Sequence, residues 1–182
     1  KDNKYHQQKK DILIVNGKIE RIGDNIQVDN GIKTITGNQL YCTTGLCDIG
    51  THSGEPGFEH RETIQSLTSA ALKGGFTTLC VFPNLNPISQ SKASIRYLSE
   101  HPDRQGVKLF PITALSQDLQ GKNITEYMDL AKSGAKAVSD GLIPVQSTSL
   151  IDRAMLYGWN AGLTLILHPD DRDISHEGQM HE

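Results

Sequence analysis

The chain has 182 residues, of which 36% are hydrophobic, enough for a globular domain with a real core. It is too short for a complete eight-unit (β/α) barrel, which takes about 250 residues. With 18 basic against 21 acidic side chains the net charge is −3, which gives no electrostatic case for a nucleic-acid partner.

Cys42, Cys47 and Cys80 form no C-x-x-C pair and are too few for a disulfide framework, so they read as reduced thiols of a cytoplasmic protein. No apolar run approaches the roughly 20 residues of a membrane span, and residues 1–10 are too polar for a signal peptide. No membrane partner is expected. The absence of an initial Met and the stop at Glu182 mark both ends as expected cut points.

In chain order, residues 11–22 give two β-rich runs about Asn16-Gly17, a strong hairpin signal. Short strands are expected over 33–35 and 39–41, so residues 1–44 read as a small β unit, part of a β-sandwich. From residue 45 to 182 the pattern becomes strand, loop, helix, repeated. A strand over 46–52 precedes a helix over 62–73 whose apolar residues Ile64, Leu67, Ala71 and Leu72 share a face. A strand over 76–82 is closed by Pro83 and Pro87, and a helix follows over 91–100.

A strand over 107–113, a helix over 125–132 with Thr125 as its N-cap, and a strand over 135–139 come next. A helix over 149–160 and a strand over 163–167 ending at His168 complete the series. Strands alternating with helices predict a parallel α/β sheet, either a barrel or an open sheet. No Gly-x-Gly-x-x-Gly follows any strand, so nothing supports a dinucleotide fold.

The unusual polar residues fall at strand ends: His52, Asn84, Asp140 and His168. In a barrel all four converge on the rim where such folds place their chemistry. Imidazoles and carboxylates are zinc ligands, but strand-end polar groups also cap helices and satisfy loop amides.

The run Glu55-Pro56-Gly57-Phe58-Glu59-His60-Arg61-Glu62-Thr63-Ile64 resembles the signature of dihydroorotases of the amidohydrolase superfamily, whose strand-end pattern is His-x-His-Leu-Arg-Glu-Pro-Gly. Gly74-Gly75-Phe76-Thr77-Thr78, Pro83-Asn84, Ser139-Asp140 and Leu167-His168-Pro169-Asp170-Asp171 extend the resemblance over nearly the whole chain. Met180-His181-Glu182 is similar to the family's Met-Asn-Glu segment, so the chain is expected to stop within a partial (β/α)8 TIM-type barrel of the metal-dependent hydrolase kind.

The resemblance implies zinc-dependent, reversible cyclisation of N-carbamoyl-aspartate to dihydroorotate in pyrimidine synthesis. The metal would activate water and polarise the amide carbonyl, and the acid/base aspartate would lie beyond Glu182. It also implies metal ligands at His52 and His168, a substrate contact at Asn84, and a ligand at Asp140 only if the register slips by one residue.

Three positions depart from the family. Gly50 stands where the first histidine of the pair would be, on the same face as His52 by strand alternation. Gly54 stands where an arginine would clamp the substrate carboxylate with a planar fork. Gly141 matches the ligating aspartate. The expectation is an impaired or inactive homologue with zinc absent or weakly held and an assembly or regulatory role. Its alternative is an active dihydroorotase with a single-metal site. A hydantoinase- or allantoinase-like hydrolase fits the Glu-Pro-Gly-Phe-Glu run less well. His176 and His181 are candidate substitute ligands in a polar tail. Aspartate carbamoyltransferase is the partner the resemblance implies, and exposed barrel edges would favour homo-oligomers.

Overall fold

The structure, a computed structural model, describes residues 4–29, 31–175 and 178. The chain divides into two compact units, Lys1–Thr43 and Thr44–Glu182. In the first, β1 (Asp11–Val15) and β2 (Lys18–Gly23) form an antiparallel hairpin. Asn16 and Gly17 both take positive φ, 50° and 74°, as the tight turn between twisted strands demands. The Asp11 carboxylate accepts a hydrogen bond from the Ile26 amide at 3.0 Å and so holds the following segment to the hairpin.

The strands expected over 33–35 and 39–41 do not form. Their β-branched and aromatic residues have nothing to pair with, and Ile35 and Tyr41 stay 75% and 93% exposed. Strand propensity expresses packing against neighbours more than an intrinsic backbone preference.

The second unit is a parallel sheet in the order β3-β4-β5-β6-β7 (Leu46–Thr51, Phe76–Val81, Lys108–Ala114, Ala137–Ser139, Thr164–Leu165). The order follows the chain without reversal. An open doubly wound sheet needs a switch point where the order turns back. Sequential order with crossovers of one hand instead lays every helix on one face, which is the winding of a barrel. The last strand is shorter than the expected 163–167, although the Ile166 amide still donates to the Val138 carbonyl at 3.0 Å.

Between these strands lie α1 (Ile64–Lys73), α2 (Lys92–Ser99), α3 (Tyr127–Lys132) and α4 (Thr148–Ala161), with α5 (Arg172–Ser175) after β7. Two apolar clusters join helices to sheet. Ile64, Leu67 and Ala71 of α1 and Leu98 of α2 pack on Leu79, Val81 and Leu109. Ile95, Tyr127, Leu130, Leu150 and Ala154 pack around Val138. Odd-numbered β4 residues thus face the helices, which leaves Thr78 and Cys80 on the opposite face of the sheet.

Helix starts are set by local chemistry. Thr63 caps α1 through a reciprocal capping box with Ser66, and Ser91 does the same for α2 with Ser94. Thr125, the expected cap of α3, is instead buried, and its hydroxyl donates to the Ala114 carbonyl at 2.7 Å, so the helix begins at Tyr127 with no side-chain cap. No helix among the described residues is long and apolar enough to cross a membrane.

Replacing Thr63 by Ala removes the bond from the Ser66 amide to the Thr63 hydroxyl, while the bond from the residue 63 amide to the Ser66 hydroxyl can remain, and is expected to cost about 1 kcal/mol of stability. Urea denaturation of the two proteins checks this through a lower midpoint at unchanged slope.

Candidate functional site

The rim at the carboxyl ends of the strands is built from the loop after β3, and that loop is held by Glu55. One carboxylate oxygen accepts from the Ile64 amide at 2.8 Å, at the first turn of α1. The other accepts from the Tyr97 hydroxyl at 2.7 Å and lies 3.4 Å from His101 Nε2. His101 Nδ1 accepts from the Asp103 amide at 3.2 Å, which puts its proton on Nε2, toward Glu55.

Burial pushes the Glu55 carboxyl upward, but the Ile64, Tyr97 and His101 interactions together outweigh it and hold the group below its usual range. Tyr97 is pushed up to about 12 by burial and by its bond to Glu55. Tyr97 and His101 also meet edge to face, with ring centroids 5.1 Å apart. The acidic residue of the Glu-Pro-Gly run is therefore a clasp joining the loop, α1 and α2. In the sequence, its only trace is a glutamate nine residues before a helix start.

Beyond the clasp, the loop closes on itself. The Phe58 amide donates to the Gly54 carbonyl at 2.6 Å and the Arg61 amide to the Phe58 carbonyl at 2.8 Å. The Ser53 hydroxyl both donates to and accepts from the Glu55 backbone. These turns wall a cavity of about 290 Å³ lined by His52, Ser53, Gly54, Arg61, Glu62 and Asn84, with Phe58 at its side.

Of the four strand-end residues, His52 and Asn84 share this cavity. His52 is exposed and leans on Phe82, with ring centroids 5.1 Å apart. Asn84 Nδ2 donates to the Asp140 carbonyl at 3.3 Å, while its buried Oδ1 has no hydrogen-bond partner. Asp140 thus touches the site only through its backbone.

The Asp140 side chain is 2% exposed and turned to the loop after β5: one oxygen accepts from the Ser116 amide at 2.9 Å, the other from the Ser116 hydroxyl at 2.5 Å. Burial pushes its carboxyl up, opposed by those bonds. His168 lies elsewhere, in a depression of about 400 Å³ with Gln146, Ile151, Pro169, Asp170 and Asp171. His176 and His181 lie outside the described residues.

The three glycines are closed off as well as bare. Gly50 sits at a register shift between Ile49 and Thr51 with φ 120°, so the alternation that would align it with His52 is broken, and a Cβ there would lie 2.9 Å from Phe82 Cε2. A Cβ on Gly54 would lie 2.6 Å from the Phe58 carbonyl oxygen and 2.7 Å from the Glu62 nitrogen. At Gly141, φ 66°, a Cβ would overlap Asn84 Oδ1.

Among the described residues the donors do not assemble into a zinc site. Gly50 and Gly141 supply no ligand, both Asp140 oxygens are engaged by Ser116, and His52 and His168 line different depressions. Among the described residues no three His, Cys, Asp or Glu side chains come together. The three cysteines are free, and burial, with Cys47 and Asp48 nearby, pushes the Cys80 thiol up to about 11.

A sequential parallel sheet with its polar residues at the carboxyl ends defines the chain as an arc of a (β/α) barrel. The chain belongs to the dihydroorotase-like family: a family model described as "Dihydro-orotase-like" matches residues 40–182. A dihydroorotase of Thermoanaerobacter sp. is 41% identical over 171 residues, covering 93% of this chain and 39% of the relative. One of Ruminiclostridium cellulolyticum is 39% identical over 173 residues, covering 94% and 40%. The chain thus spans about two fifths of the length of these relatives.

The crystal structure of dihydroorotase in complex with 5-fluoroorotic acid from Saccharomyces cerevisiae superposes with a TM-score of 0.55 at 16% identity, covering 76% of this chain and 38% of that one. That likeness establishes the fold, a partial TIM-type barrel.

Two expectations test the loop. Because the Glu55 carboxyl is held below its unfolded value, its contribution is present above that value and lost as pH falls through the lowered one. Glu55→Gln should therefore destabilise the protein at about pH 6, and the gap to wild type should shrink toward about pH 3 in urea melts. Gly54→Ala should cost about 1–3 kcal/mol, because backbone atoms must move to admit the methyl group; thermal denaturation measures it.

Proposed function

We propose that this chain is a dihydroorotase-like scaffold of pyrimidine biosynthesis whose site no longer supports the family's metal chemistry. The observation that carries the reading is the state of positions 50, 54 and 141. Each lacks a side chain, and each has Phe82, the loop backbone or Asn84 where a side chain would project. A ligand lost by simple truncation would leave room behind it. Here the room is filled.

What remains is a fold, a loop held by the Glu55 clasp, and a small polar cavity. Those features support a role in assembly or regulation beside an enzyme that handles the same metabolites. Aspartate carbamoyltransferase, which produces N-carbamoyl-aspartate, is the partner we propose. Self-association through the β3 side of the described sheet, where Leu46 and Ile49 are exposed, is a second route.

The test uses the full-length protein purified without chelators. Substoichiometric zinc by elemental analysis and no turnover of dihydroorotate or N-carbamoyl-aspartate are expected, with a sedimentation shift on mixing with aspartate carbamoyltransferase. Stoichiometric zinc together with turnover that is abolished by His168→Ala would instead establish a reduced-site enzyme. An unchanged sedimentation profile and unchanged carbamoyltransferase activity would remove the assembly role.

A further inference from the structure

Helix α4 carries a face that its own unit does not use. Its core side is set by Leu150, Ala154 and Gly158, which recur every fourth residue and are buried. Gly158 seats the helix against β7, because a Cβ there would lie 2.6 Å from Leu165 Cδ1, and that close contact fixes the rotation of α4. Toward α3, Tyr157 meets Tyr127 edge to face with ring centroids 6.3 Å apart.

Asp152, Met155, Leu156 and Trp159 fall at i, i+3, i+4 and i+7 and so form one stripe on the side opposite the core. Met155 is 58%, Leu156 65% and Trp159 83% exposed. The stripe is directed away from the sheet, so strands added at the sheet's edge leave it uncovered. Two polar groups on it also lack partners: among the described residues neither the Asp152 carboxylate nor the Trp159 indole N–H enters an ion pair or a hydrogen bond. An indole N–H only donates and a carboxylate only accepts. Within one helix these two stand two turns, about 10 Å, apart and cannot meet.

We propose that this stripe is the contact surface for a second copy of the chain, packed antiparallel on it through α4. The register follows from the residues. A twofold axis between positions 155 and 156 sets Asp152 against the partner's Trp159 and Met155 against the partner's Leu156, and the symmetry makes each contact twice. Every indole N–H then donates to a carboxylate, a charge-assisted bond, while the apolar side chains between them lose water.

A parallel pairing would instead set Asp152 against Asp152, two like charges in contact. A carboxylate within the stripe also disfavours a lipid surface, where an interfacial helix keeps its charges on the opposite face. The seam spans only two turns, so the dimer is weak, with a dissociation constant expected on the order of 10 μM.

Sedimentation equilibrium of the full-length protein, over concentrations spanning that value, tests the proposal. A monomer–dimer equilibrium is expected. Trp159→Ala should weaken it about tenfold or more. Trp159→Phe, which keeps most of the apolar area and removes the N–H, should weaken it by a smaller factor, as should Asp152→Ala. The double variant Asp152→Ala with Trp159→Phe should lose less than the product of the two single effects, because both remove the same bond. All these side chains are exposed, and thermal melts confirm that the variants fold.

A protein that stays monomeric throughout, single effects that simply multiply, or a dimer that Trp159→Ala leaves intact, as one joined through β3 would be, would each overturn the proposal. Self-association absent alone, with aspartate carbamoyltransferase binding that depends on Trp159, would assign the stripe to that enzyme and equally overturn the second copy as its occupant. Self-association is read without reference to zinc or turnover, so its outcome stands apart from the scaffold reading.

Discussion

A single carboxylate holds the rim of this structure together. Glu55 accepts hydrogen bonds from the first turn of α1 and from a tyrosine of α2, and faces a histidine just past that helix. A half-buried carboxylate is held most firmly when its lone pairs are filled, and here α1, α2 and the residue His101 after α2 fill them. The loop after β3, the cavity behind it and the spacing of α1 and α2 all follow from that saturation. The residue that marks the family in the sequence is therefore conformational in its effect.

The same logic governs Asp140. A strand-end aspartate can serve chemistry only if its oxygens reach solvent or a ligand, and these are spent on the Ser116 amide and hydroxyl. The Ser116 hydroxyl in turn accepts from the Gly121 amide at 2.7 Å, so the loop after β5 is threaded onto one buried group. Two carboxylates on the rim are thus both engaged in holding loops.

Much of the architecture was legible in the residues. Asn16-Gly17 announced the hairpin, the helical spacing of Ile64, Leu67 and Ala71 announced α1, and alternating strands and helices announced a parallel sheet. The four strand-end residues do stand at strand ends, but only His52 and Asn84 share a cavity. The failures have a common cause. The segments at 33–35 and 39–41, the cap at Thr125 and the availability of Asp140 each depended on what lay opposite in space, which local pattern does not encode. The bulge at Gly50 is of the same kind, because a break in alternation shows only when the partner strand is present.

Asn84 and Gly141 are coupled by their packing. The amide oxygen of Asn84 fills the volume where a side chain at position 141 would begin, and the backbone there has φ 66°. An aspartate introduced at 141 alone would meet both obstacles before it could meet a metal. Changing Asn84 first would give up its bond to the Asp140 carbonyl with nothing yet gained. Either change made alone is therefore expected to cost stability, so residues 84 and 141 behave as one packed unit that tolerates alteration only as a pair.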